Sequence, residues 1–421
     1  MFWMGCVTWT ERAQGDEPSR PDLVFVTDPK FGMEGGIRTT LSMGQIVFRY
    51  DELLPDVLHV KNPTAERALG VFGRFVEAFF LDDAIASVET TFIHEVFGHG
   101  ARAREFGQSP TYVFSLPQPY AFLLSPHEAF EGVTEVTSLT GNRDRDIAIV
   151  EAGVEANFLT AHWINEQIVS NHGWARDSDL DVYLASKTAY VTTFLSRDIH
   201  VSTTEVTDPT GGSDDIVRYV SELQDRTNRW RPSDRVAIVG KLQTAYAWNY
   251  VDPTFFFAIY NELVNRLYLG EHYGRIPLPS VGGVTFYPET RFNLSPFGAE
   301  HYVDVFLGKG TVVADVYARL GSSGLAAYDG GGVRVLGLRP CPWLAFGAEL
   351  DAWSQPELLL AQRNTYSPPQ ALGLNGGLFG TFKLYGALSL AGKIAYKTGG
   401  YLMGQPLDAG PYGYVGVSVA Q

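Results

Sequence analysis

The spacing of apolar residues changes character once along this chain, near Pro277, and that change dictates a two-part fold. Over residues 65–81, 84–106, 144–170, 180–195 and 233–268 the apolar positions recur at the three-and-four spacing of an amphipathic helix. Thr64 and Asp82 or Asp83 stand where N-caps are needed, Gly107 closes the second helix, and Asp252-Pro253 interrupts the last. Beyond Pro277 strict alternation takes over, at 302–307, 312–318, 343–350, 378–387, 388–396 and 412–419, punctuated by glycine-rich turns. The expected fold class is therefore α+β, an α-helical unit over 64–277 followed by an antiparallel β-sheet or small β-barrel over 278–421. Residues 1–63 read as an N-terminal segment with short strands at 23–26, 36–41 and 45–50. Residues 108–140 and 208–215 read as loops by their Pro and Gly content.

Seven or eight strands of about 10 residues fill the C-terminal part, which is the size of a small closed barrel. Its strands carry one apolar face and one face of Gly, Lys, Asp or Glu. That pattern suits an outer-membrane barrel with lipid outside, and it equally suits a sheet wetted on one face. No run approaches the ~18 apolar residues of a spanning helix, so any membrane contact would be made by strands. The expected location is the bacterial cell envelope, outer membrane or periplasm, although the sequence has no readable signal peptide.

Charge and cysteine content narrow the chemistry. With 32 Lys and Arg against 47 Asp and Glu, the net charge of −15 has the wrong sign for a protein that grips nucleic-acid phosphates. Two cysteines, Cys6 and Cys341, make neither a disulfide framework nor a thiolate-rich metal site. A bound metal must be held by histidine and carboxylate.

One segment carries that combination: Phe92-Ile93-His94-Glu95-Val96-Phe97-Gly98-His99-Gly100. In the common zinc-peptidase motif the histidines lie four apart, about 40° around an α-helix, so both reach one ion. Here they lie five apart, which on an unbroken α-helix is about 140°. One residue absorbed in a π-type bulge restores a shared side, and Gly98 is the natural place for the backbone to yield. The spacing predicts a distorted helix at 96–99.

The pattern His94-Glu95-x-x-Gly98-His99 resembles the signature of the dipeptidyl peptidase III family of zinc peptidases. The resemblance implies Zn²⁺ as cofactor, His94 and His99 as ligands, and Glu95 as the residue that activates water. It also implies a third ligand, a glutamate downstream on another helix, and this chain offers Glu151-Ala152-Gly153-Val154-Glu155 about 50 residues on. Glu151 and Glu155 lie about 40° apart on a helix, so one can bind metal while the other supports a ligand histidine. Glu151 is the expected ligand and Glu155 the expected support, with the reverse assignment open.

The function expected from these parts is zinc-dependent peptide-bond hydrolysis, with a metal-activated water and Glu95 as general base. The oxyanion needs a donor, for which His127, His162, Tyr190 and His200 are candidates. Arg102 and Arg104 either bind a substrate carboxylate or complement the helix dipole. The partner would be a peptide or protein substrate and not a nucleic acid, with a membrane a further partner of the β-domain. The alternative is an outer-membrane barrel or structural protein whose helical insert holds a structural metal.

Overall fold

In the computed structural model the described residues are 21–49, 63–117, 119–120, 132–136, 142–191, 200–201, 206–207, 215–227, 232–322, 327–361 and 369–421. The chain begins with a strand, β1 (Leu23–Thr27), followed by a helix, α1 (Met33–Val47). The strands expected at 36–41 and 45–50 are therefore not formed, and residues 33–47 are helical instead. Met33, Ile37 and Leu41 recur every four residues on one buried face, and burial of that stripe outweighs the local β-branched run of Ile37, Thr39 and Thr40.

The motif lies in one long helical run: α2 (Pro63–Glu77), a π turn (Ala78–Asp82), α3 (Asp83–Phe92), a second π turn (Ile93–His99) and α4 (Gly100–Glu105). A small hairpin follows, β2 (Thr111–Phe114) with β3 (Gly132–Glu135), inside the region expected to be loop.

Next comes α5 (Arg143–Ser170), started by Asn142, whose side chain accepts from the backbone N–H of Asp144 and Arg145. Nearly every residue of α5 is buried, so it is a central helix with no solvent face. Around it lie β4 (Trp174–Arg176), α6 (Asp177–Thr188), the short pair β5 (His200–Val201) and β6 (Val206–Thr207), α7 (Asp215–Thr227), α8 (Pro232–Ala247) and α9 (Pro253–Tyr260). Asp252 caps α9 through Thr254 N–H with Pro253 in the first turn, and a third π turn (Asn261–Leu269) extends it.

The rest of the chain is strand: β7 (Tyr273–Arg275), β8 (Ser280–Val281), β9 (Val284–Ser295), β10 (Gly298–Lys309), β11 (Val312–Ser322), β12 (Ala327–Cys341), β13 (Leu344–Pro356), β14 (Gln370–Tyr385), β15 (Leu388–Lys397) and β16 (Gly410–Val419). β8 to β16 form an antiparallel meander, and β1 joins it by pairing with β16, which gives ten strands in one sheet. The N-terminal segment is thus bound into the C-terminal sheet. Among the described residues the edge strands do not pair with each other, so the sheet is open.

The fold is α+β, as the change of period requires. Secondary structure changes at Pro277 while the packing continues across it. Tyr287, Phe292, Leu294, Tyr302 and Phe306 of the strands belong to the same buried cluster as Val154, Phe158 and Trp163 of α5.

Candidate metal centre

The two motif histidines meet because the helix is π-wound through them. A π turn is closed by i→i+5 hydrogen bonds, so residues five apart return to one side. The π segment runs from Ile93 to His99 and includes both histidines; it contains the distortion expected at 96–99 and begins three residues before it. The imidazole centroids are 4.7 Å apart with the rings nearly perpendicular, and the two Nε2 atoms are 3.1 Å apart.

Two glycines permit the packing that holds this turn. A Cβ on Gly98 would lie 2.6 Å from the Ala152 carbonyl oxygen and 2.7 Å from Gly153 Cα, so the backbones of the motif turn and α5 touch there. A Cβ on Gly153 would fall within 3.0 Å of Nε2 on both His94 and His99. The imidazoles therefore lie directly over Gly153.

The third group is Asp215, the first residue of α7. Its Oδ2 is 3.0 Å from His94 Nε2 and 3.1 Å from His99 Nε2. An ion with ligands at about 2.0–2.1 Å in tetrahedral array separates its donor atoms by about 3.3 Å. The three donors already stand at nearly that spacing, so the residues fit a small divalent cation. Tyr190 closes the group, donating to Asp215 Oδ2 at 2.6 Å with its hydroxyl 3.1 Å from His94 Nε2.

Supporting contacts turn both imidazoles the right way. His99 Nδ1 donates to the Ile149 carbonyl at 2.6 Å, which leaves the Nε2 lone pair for a cation. His94 Nδ1 faces the Asn157 amide at 3.2 Å, and Asn157 Oδ1 is buried with no other partner among the described residues. With the amide oriented so that Oδ1 accepts from Nδ1–H, Oδ1 is satisfied and His94 Nε2 is also free to ligate.

The electrostatics ask for positive charge. Burial opposes ionisation of Asp215, yet the His99 and His94 imidazoles hold its carboxyl well below the usual range. Burial opposes the charged form of His99 too, but the Asp215 carboxylate outweighs it and raises His99 to about 9. In the metal-free cluster a proton takes the place of a cation.

Glu95 is buried beside the pair, and a carboxylate oxygen of Glu95, a nitrogen of His94 and a nitrogen of His99 lie within 4.8 Å of one another. Glu95 Oε2 accepts from the Thr134 hydroxyl at 2.6 Å. The β3 backbone approaches closely at Gly132, where a Cβ would collide with the Glu95 side chain.

Glu151 and Glu155 do not join this group. Gly153 faces the imidazoles, with Ile149 and Asn157 one turn away on the same side, and a residue two positions from Gly153 lies about 200° around the helix. Both glutamates consequently point away from the histidines. Glu155 accepts from Arg102 Nη2 at 2.6 and 2.9 Å and from Gly404 N–H at 2.6 Å. The Glu151 carboxyl is fully buried, has no hydrogen-bond partner among the described residues, and is pushed well up by burial and by neighbouring Glu155. The positions expected of Glu151, beside the histidines, and of Glu155, supporting one of them, are occupied instead by Asp215 and by Ile149 with Asn157.

Of the other candidates, Tyr190 reaches the centre and His162 does not, being hydrogen-bonded to Glu289 at 2.7 Å elsewhere in the core. His127 and the His200 side chain lie outside the described residues. Arg102 is spent on Glu155, Glu105 and the Gln405 carbonyl, and Arg104 on the carbonyls of Lys30, Phe31 and Val96. Neither is placed to take a substrate carboxylate.

Asp215 escaped the sequence reading because it ends a Gly-rich stretch and lies 121 residues from His94. The available signal was an aspartate at the start of a helical pattern, separated from Gly211-Gly212-Ser213 only by Asp214. Compared with protein-family models, with curated proteins and with solved structures, the chain matches none.

Proposed function

We propose that this chain is a zinc-dependent hydrolase acting on peptide bonds, with His94, His99 and Asp215 holding the ion and Glu95 as general base. The observation that carries the reading is the mutual 3.0–3.1 Å approach of the His94 and His99 Nε2 atoms and Asp215 Oδ2, beside a carboxylate that is not needed as a ligand. When bound, zinc lowers the pKa of water toward ~7 and polarises a carbonyl.

The protein's own groups supply the rest. Thr134 fixes one oxygen of Glu95 and leaves the other to take the proton of the attacking water and pass it to the leaving amine. The Tyr190 hydroxyl lies at the rim of the donor triangle, and once Asp215 Oδ2 serves as a ligand its one proton is released to stabilise negative charge on the carbonyl oxygen. Ile149 and Asn157 keep both imidazoles in one tautomer.

Glu95→Gln tests this reading, because the amide keeps the shape and removes the base. Metal content, read by elemental analysis, should be unchanged, while hydrolysis of a mixed fluorogenic peptide library should fall by about 10²–10⁴. A parent chain that binds metal and cleaves nothing would favour a structural site in a membrane or scaffold protein.

A further inference from the structure

We infer that the outward face of strands β10 to β16 is a lipid-contacting surface, embedded in the hydrocarbon of a bilayer. In a sheet wetted on one face the polar residues meet water and the apolar ones the core. Here the order is inverted. The face turned toward α5 and α1 carries Asp315, Arg319, Glu349, Asp351, Lys393 and Lys397, all buried. Glu166 of α5 pairs with Arg334, and Glu34 of α1 with Lys393.

The opposite face has no charge over the five strands β11 and β13 to β16. On β13 its residues are Leu344, Phe346, Ala348, Leu350, Ala352 and Ser354. On β15 they are Leu388, Leu390, Gly392, Ile394 and Tyr396. The pairing aligns Ala348 with Leu378 and Leu378 with Ile394, so the apolar surface is continuous from strand to strand. It is also bare: Leu372 is 85% exposed and Ile394 71%. A patch of this extent exceeds what a protein ordinarily leaves to water.

Its height matches a membrane. The ten residue steps from Leu344 to Ser354, at about 3.3 Å each and tilted by about 45°, rise about 23 Å, against about 25 Å for the apolar band of barrels that cross the outer membrane. A lipid-facing sheet cannot leave an edge open, because unpaired backbone groups have no partner in hydrocarbon. On edge strand β1 the Ser42 and Thr39 hydroxyls of α1 meet those groups. Val24 N–H donates to Ser42 at 2.7 Å and Val26 N–H donates to Thr39 at 2.9 Å, while Thr39 donates back to the Val26 carbonyl at 2.8 Å. The long strand at the other end, β9, is packed against α5, α8 and α9. No described helix is long and apolar enough to cross, so the strands alone would do so.

The test uses the full chain with Cys6 and Cys341 changed to serine and one cysteine introduced at Leu378, Ile394 or, as a control outside the band, Glu271. Each is labelled with bimane and reconstituted into phosphatidylcholine vesicles with brominated acyl chains. The labels at 378 and 394 should be quenched at least about threefold more than the label at 271, and the chain should stay monodisperse only with detergent. A chain that remains in detergent-free buffer as a monomer or a discrete dimer, with neither 378 nor 394 quenched, would overturn the inference. Metal binding is measured independently in detergent, so failure here leaves the hydrolase reading standing.

Discussion

Two clusters of buried histidine and carboxylate flank α5, and they behave in opposite ways. His94 and His99 sit over Gly153, while His162, nine residues further along α5, points to the other side beside Glu289, Asp304 and Asp315. Each cluster brings three ligand-type atoms within 4.8 Å. In the second, Arg291 already supplies the cation, donating to Asp304 through Nε at 2.9 Å and through Nη2. Burial and the Arg291 charge push His162 down to about 3, so it is neutral. At the first, among the described residues, Asp215 Oδ2 meets only His94, His99 and Tyr190, with no arginine or lysine, and the same residue type is driven up to about 9. Proximity of donors does not make a metal site; a cluster becomes one when its anionic charge has no built-in partner.

The contrast can be broken most severely at Asp215. Asp215→Asn should weaken zinc binding by more than about 100-fold, the upper range for loss of a mere supporting contact. His162→Gln should leave both the affinity and a stoichiometry of one ion per chain unaltered, as read by equilibrium dialysis. Two ions in the parent would show that Arg291 does not fill the second cluster.

Tyr190→Phe should keep the metal and lower kcat by about 10²-fold, with little change in KM, if the hydroxyl acts on the developing oxyanion. Gly153→Ala sharpens the geometry, because its Cβ meets both imidazoles. It should lower zinc affinity about tenfold or more and cost about 1–3 kcal/mol in a denaturant titration.

The protonation of His99 predicts a pH effect. With His99 raised to about 9, the metal-free cluster carries a proton at pH 7 that a cation must displace. Calorimetry in buffers of different ionisation enthalpy should show about one proton released per ion at pH 7, falling toward none above pH 9.

The smallest effect is expected at Glu151. A carboxyl whose folded pKa is raised favours folding fully below its usual 4.5 and loses that stability as pH rises toward the folded value. Glu151→Gln should therefore leave zinc affinity unchanged, raise Tm by about 2 °C at pH 8, and leave it unchanged at pH 4.

Sequence alone carried the period change, and with it the fold class, because helix and strand patterns are local. It also carried the π turn, since a five-residue spacing of two ligands leaves few other geometries. What it did not carry is non-local. The residue of α5 that faces the histidines is Gly153, which has no side chain to announce itself, while the glutamates two positions to either side of it lie across the helix. Asp215 reaches the site only through the packing of α7 against α5. In α1, Ile37, Thr39 and Thr40 favour strands locally, while the helix is fixed by tertiary burial of the Met33, Ile37 and Leu41 stripe.

If His94 and His99 hold an ion, the carboxylate that completes the set is Asp215 and not Glu151. Cobalt(II) added to the metal-free chain reports this directly, through the intense visible bands of a tetrahedral ion. One equivalent should develop those bands in the parent and in Glu151→Gln, and none should appear in Asp215→Asn. Bands that survive in Asp215→Asn and vanish in Glu151→Gln would contradict the site described here.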